Sequence, residues 1–158
     1  MGLLFLGCLA MCCATGAGAF ELALEQRSSG AFYVLPAATS GLTQGMLLDT
    51  GSSYVGLSQK SFRTLQREGQ LEFVRHIVGR MADGKTRRVA VYRLEELRLA
   101  ADCVLRDLEV ALLAGADRDI LGLSALQQMQ PFTLSMSPPQ LRGDHCAAPV
   151  VAAASVAE

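Results

Sequence analysis

Along residues 31–136 the apolar positions come in short runs broken by Gly, Asp, Ser and Pro, and the longer runs alternate with polar residues. Such alternation suits strands with one buried face. "AFYVLPA" (31–37) and "TQGMLLD" (43–49) read as two strands joined by the turn cluster Ala38-Thr39-Ser40-Gly41, which predicts a hairpin. In "SQKSFRTLQREG" (58–69) the period changes. Ser58 suits an N-cap, Phe62 and Leu65 share a face, and Gly69 is a natural stop, so a short helix is expected. "LEFVRHIVGRM" (71–81) and "TRRVAVYRL" (86–94) flank Ala82-Asp83-Gly84-Lys85, and Asp-Gly between alternating runs is the strongest local hairpin signal. "EELRLA" and "CVLRDLEVALLA" follow as strands around an Ala101-Asp102 turn, "SALQQM" as a second short helix and "PFTLSM" as a last strand before Pro138-Pro139 ends regular structure. Glu25 to Gly30 reads as a polar linker. The sum predicts a mostly β fold, a compact closed barrel or sandwich with a hairpin and two short helices.

The two ends depart from this pattern. Residues 2–20 hold no charge. Leu3 to Met11 form an apolar core and Ala17-Gly18-Ala19 has the small-x-small form of a cleavage site, so residues 1–19 read as a signal peptide. No Lys or Arg precedes the apolar run, and its length approaches the roughly 20 residues that span a bilayer, so an uncleaved anchor is the alternative. The expected location is exported, periplasmic or secreted, with membrane association if the segment is retained. Residues 27–142 form one domain, and 143–158 read as a disordered tail without periodicity.

Composition narrows the function classes. A chain of 158 residues, 51% hydrophobic and with net charge -1, has material for one genuine core and no basic patch for nucleic acid. Three of the five cysteines, Cys8, Cys12 and Cys13, lie in the leader. Cys103 and Cys146 remain, and export would place them where a disulfide can form; their spacing alone does not bring the sulfurs together.

The chemistry centres on "GMLLDTGSSYVGLS" (45–58), where an apolar strand ends in Asp49-Thr50-Gly51. A carboxylate so placed needs hydrogen bonds or a chemical task. Gly51 lets backbone N–H groups approach it, Thr50 can lock the loop, and Ser52 adds a donor. One buried Asp cannot both activate water and protonate a leaving group, whereas two sharing a proton can. The chain has a single Asp-Thr-Gly, so the second carboxylate must come from another copy across a two-fold axis.

"LLDTGSS" with "DILGLSALQQM" downstream resembles the retropepsin-type aspartic proteases, more narrowly their exported bacterial branch. The resemblance runs from about Phe32 to Met136. It implies a closed retropepsin-like β-barrel, a flap at Ala82, Asp83 and Gly84 that contacts substrate, and structural support of the catalytic loop by Ile120, Leu121 and Gly122. It further implies that Asp49 acts as general base or acid on a water, that Thr50 braces two loops, and that Gly51 and Ser52 serve substrate and carboxylate. No metal or organic cofactor is implied; the partners are a peptide or protein substrate and a second copy of the chain. The expected activity is peptide-bond hydrolysis with an acidic optimum, and a catalytically silent peptide-binding or assembly module is the alternative. Retroviral relatives carry Arg where Leu123 stands and Asp where Ser53 stands, so their intersubunit ion network is missing here.

Other groups read more plainly. Asp117 and Asp119 suit a solvated turn, Asp83 a turn former, and His76 a sheet histidine. His145 and Cys146 are too few for zinc. Ser52 and Ser53 lack a nucleophile elbow and a partner histidine.

Overall fold

The computed structural model describes residues 19–37, 41–42 and 44–146. The expected leader, all but Ala19, the turn residues Ala38 to Ser40 and the tail beyond Cys146 lie outside the described residues. The chain folds as β1 (Phe20–Gln26), β2 (Phe32–Val34), β3 (Met46–Leu48), β4 (Val55–Ser58), α1 (Gln59–Arg67), β5 (Leu71–Arg80), β6 (Thr86–Ala100), β7 (Cys103–Leu113), β8 (Asp119–Leu121), α2 (Leu123–Leu126), a 3-10 turn at Gln127–Met129, β9 (Phe132–Met136) and β10 (Pro139–Gly143).

The strands pair in the order β5-β6-β7-β4-β8-β3-β2-β1-β10-β9. The class is mostly β, as expected, but the ladder is open, with β5 and β9 as its free edges. Leu22, Val34, Met46, Leu57, Leu65, Leu94, Leu105, Val110, Leu121 and Leu141 are buried in one core that β1, β2, β3, β4, β6, β7, β8, β10 and α1 all enclose. Most neighbours are antiparallel. The exceptions are β3 with β8 and β4 with β7, which run parallel and frame the centre of the molecule.

The local signals succeed where the partners are close in sequence. Ser58 caps α1 by accepting from the Ser61 N–H at 3.3 Å, Phe62 and Leu65 are buried, and Gly69 follows with φ of +72°. The β5–β6 hairpin closes at Met81–Lys85: the Met81 N–H donates to the Lys85 carbonyl at 2.8 Å and Gly84 takes φ of +78°.

Four readings change. Residues 25–30 are not wholly linker, because β1 runs to Gln26 and pairs with β10 through Phe20–Ala23 and with β2 through Leu24–Gln26. "EELRLA" is the continuation of β6 rather than a separate strand. Pro139 opens β10 instead of ending regular structure, since a first strand residue can do without an N–H. The tail is ordered through its first residues: Gly143 ends β10, and Cys146 is disulfide-bonded to Cys103 with Cα atoms 4.8 Å apart.

Candidate functional site

The parallel β3–β8 pair builds the centre of the site. β3 delivers Asp49 at its end, and the Asp49 N–H donates to the Leu121 carbonyl at 3.2 Å, so the loop leaves the sheet alongside β8. The next three residues fold back on the carboxylate. The Gly51 N–H donates to Asp49 Oδ1 at 2.8 Å and the Ser52 hydroxyl to Oδ2 at 2.9 Å. Both oxygens thus have a donor from the same loop. A Cβ on residue 51 would sit 3.1 Å from Asp49 Oδ1, which explains a glycine at the close approach. Asp49 is half-buried, and Thr50 and Gly51 stand exposed at the loop's tip.

Beneath the loop, the backbone of the α2 start holds the other side. Leu123 N–H donates to the Ser52 carbonyl at 2.8 Å, and Ser124 N–H to the Ser53 carbonyl at 3.0 Å. A Cβ on Gly122 would overlap the Tyr54 carbonyl and come within 2.8 Å of the Ser52 carbonyl oxygen, so this position requires glycine. The Ser124 hydroxyl accepts from the Val55 N–H and donates to the Glu109 carbonyl, each at 2.9 Å. A neutral hydroxyl therefore ties the loop to β7 next to Leu123, where retroviral relatives place a charge.

An ion pair joins the same region to the hairpin. Arg75 on β5 forks onto both oxygens of Glu109, with one contact at 2.7 Å, and its guanidinium also donates to the Tyr54 hydroxyl at 3.2 Å. The Arg75 hydrogen bonds hold the Glu109 carboxyl below the usual glutamate range, and the bonds to Glu109 and Tyr54 raise the guanidinium pKa still further.

Asp119 corrects the turn reading. It is fully buried and accepts from the Ser58 N–H at 2.7 Å and the Ser61 hydroxyl at 2.5 Å, pinning the start of α1 to β8. No local signal marked it, because Ser58 and Ser61 lie 61 and 58 positions away. Asp117 does stand exposed, paired with Arg118 at 3.1 Å.

A groove of about 510 Å³ opens between the loop and the hairpin. Gly51, Ser52 and Tyr54 line one side, and Ile77, Gly79, Met81 and Val89 the hairpin side. Ala82, Asp83 and Gly84 lie outside this lining, at the exposed tip, where Asp83 accepts from the Lys85 N–H at 3.0 Å and pairs with Arg87 at 2.9 Å. The structure thus gathers Asp49, Thr50, Gly51, Ser52, Ile120, Leu121 and Gly122 at one centre and sets the hairpin tip apart from it. Among the described residues no cluster of three His, Cys, Asp or Glu is arranged to hold a metal ion.

Residues 36–128 match the family described as "gag-polyprotein putative aspartyl protease". The chain belongs to this retropepsin-like aspartic protease family. The span that carries the family likeness includes the Asp49 loop, the hairpin and the Ile120-Leu121-Gly122 support. A crystal structure of a retropepsin-like aspartic protease from Rickettsia conorii shares the fold, with a TM-score of 0.52 and 20% identity over 79% of this chain and 98% of the other. No curated protein sequence matches the chain.

Proposed function

We propose that the protein is an aspartic endopeptidase acting as a homodimer, with one Asp49 carboxylate from each copy. The observation that carries the reading is the Asp49 loop: a carboxylate with both oxygens held by its own Gly51 and Ser52, raised on an exposed tip beside a peptide-sized groove. Two such tips meeting across a two-fold axis hold two carboxylates that share one proton. The ionised member takes a proton from a water as the water's oxygen bonds to the scissile carbonyl carbon, and the protonated member gives its proton to the carbonyl oxygen. Collapse of the resulting diol breaks the C–N bond: the proton on the first carboxyl passes to the leaving nitrogen, and a diol hydroxyl returns its proton to the second carboxylate, which leaves a carboxylic acid and restores the shared proton. Thr50 braces the paired loops, Gly51 offers backbone polar groups to an extended peptide, and the β5–β6 hairpin covers it. Shared-proton chemistry of this kind works fastest below about pH 7.

Export of the protein with removal of residues 1–19 is part of the same proposal. The Cys103–Cys146 disulfide supports an oxidising compartment, and N-terminal sequencing of the exported form should begin at Phe20.

The deciding test is Asp49→Asn. Peptide cleavage should fall to background while circular dichroism and oligomeric state stay as in the parent. Residual cleavage at the parent rate refutes the assignment. A parent protein that binds peptides at every pH and cuts none would instead be the silent peptide-binding module.

A further inference from the structure

The hairpin that borders the groove is strongly polarised. Residues 71–94 carry Arg75, Arg80, Lys85, Arg87, Arg88 and Arg93 against Glu72 and Asp83, a formal +4 in a chain whose total is -1. Part of this charge is spent internally: Arg75 pairs with Glu109, Arg87 with Asp83 and Arg93 with Glu72. Arg80 and Lys85 form no ion pair among the described residues.

Arg80 has the more telling position. β5 is the terminal strand of the ladder, and residues at both alternating positions of its end line the groove, Ile77 and Gly79 at one and Val78 and Arg80 at the other, followed by Met81. Of the residues lining the groove, Arg80 alone is charged, and the remainder of the wall is apolar or neutral. An unpaired guanidinium at the rim of an apolar cleft attracts a carboxylate and repels an ammonium, and a guanidinium binds carboxylate bidentately. We infer that Arg80 makes this groove select extended peptides that carry an acidic side chain at one position, beside apolar residues that fill the rest. The inference rests on the groove being the peptide site proposed above, and it names the substrate class for that site.

The test uses the full chain carrying Asp49→Asn, so that binding is read without turnover. Fluorescent peptides identical except for Glu, Gln or Lys at one position, scanned position by position, are titrated by anisotropy. At one position Glu should bind about three- to tenfold more tightly than Gln, with Lys weakest, and the gap should shrink as salt rises. Adding Arg80→Gln should erase the gap, and Arg80→Glu should reverse it in favour of Lys. Arg88→Gln, whose guanidinium contacts His76 at 3.2 Å outside the groove lining, should leave it unchanged. Equal binding of Glu and Lys peptides at every position, or a gap that survives Arg80→Gln or falls equally with Arg88→Gln, overturns the assignment to Arg80. Absence of binding by any peptide removes the groove reading along with it. Retained acidic preference in a parent protein that cuts nothing overturns catalysis and leaves this inference standing.

Discussion

At the scale of single residues, the two informative aspartates have opposite surroundings. Asp49 sits on an exposed loop and its carboxylate accepts from Gly51 and Ser52, within three positions, so this part of its geometry is written locally and its loop could be read from sequence, whereas its N–H bond to the Leu121 carbonyl could not. Asp119 is buried, and both of its donors come from the start of α1 across the sheet. Losing it strands a backbone N–H and a hydroxyl in a closed interior, and such orphaned donors are costly. Asp119→Ala should therefore lower stability by about 2–4 kcal/mol in urea unfolding. The conservative Asp119→Asn keeps one acceptor and should cost markedly less. A change below about 0.5 kcal/mol for the alanine variant would mean that Ser58 and Ser61 find other partners, contrary to the geometry.

At the scale of elements, what sequence revealed follows contact distance along the chain. The β5–β6 hairpin and α1 depend on neighbours within a few residues, and both were legible from Asp83-Gly84, Ser58 and Gly69. β4 was not, because Val55, Gly56, Leu57 and Ser58 are all buried and a strand covered on both faces shows no alternation. β1 does alternate, with Phe20, Leu22 and Leu24 inward, but its first residue abuts an apparent cleavage site and its last residues look like linker. β10 depends on a partner at the far end of the chain. The cross-element tie from Arg75 on β5 to Glu109 on β7 was equally invisible, and it has a pH signature. Glu109 is ionised more easily folded than unfolded, so its contribution is complete above the unfolded glutamate pKa, about 4.3, and is lost as pH falls through the depressed folded value. Its side chain is 37% exposed, so solvent screens the pair and the effect is modest, on the order of 0.5–1 kcal/mol. Glu109→Gln should lower the melting temperature at pH 6, and the gap to the parent should close on approach to pH 3. A gap that stays constant with pH would assign the loss to packing rather than to the ion pair. The same pair holds the Tyr54 wall of the groove to a lower pH than a glutamate without the Arg75 bonds would, because those bonds depress the Glu109 pKa.

For the whole molecule, the proposed pairing raises the question of why such a fold would need a twin. Among the described residues every buried side-chain nitrogen and oxygen has a hydrogen-bond partner. Association therefore has no orphaned buried polar side chain to satisfy among the described residues. What the single chain lacks is a second acid beside Asp49: both oxygens are held by its own loop, and no other carboxylate is hydrogen-bonded to that loop among the described residues. The Arg and Asp that would knit two retroviral copies together are Leu123 and Ser53 here, so the proposed pairing would rest on other contacts and need not be tight. That combination predicts a concentration-dependent enzyme made from a concentration-independent fold. On dilution, turnover per chain should fall while the circular dichroism spectrum holds. Mixing separates this from a monomer that merely adsorbs or unfolds. When parent chains re-equilibrate with an equal amount of Asp49→Asn, random pairing puts half of the parent chains into mixed dimers with one working acid. Activity should then drop to about half, and further excess of the variant should drive it toward zero. A monomeric catalyst would ignore the added variant altogether, so an unchanged rate across the mixing series, with subunit exchange verified by labelled chains, would remove the shared-acid mechanism while leaving the fold assignment intact.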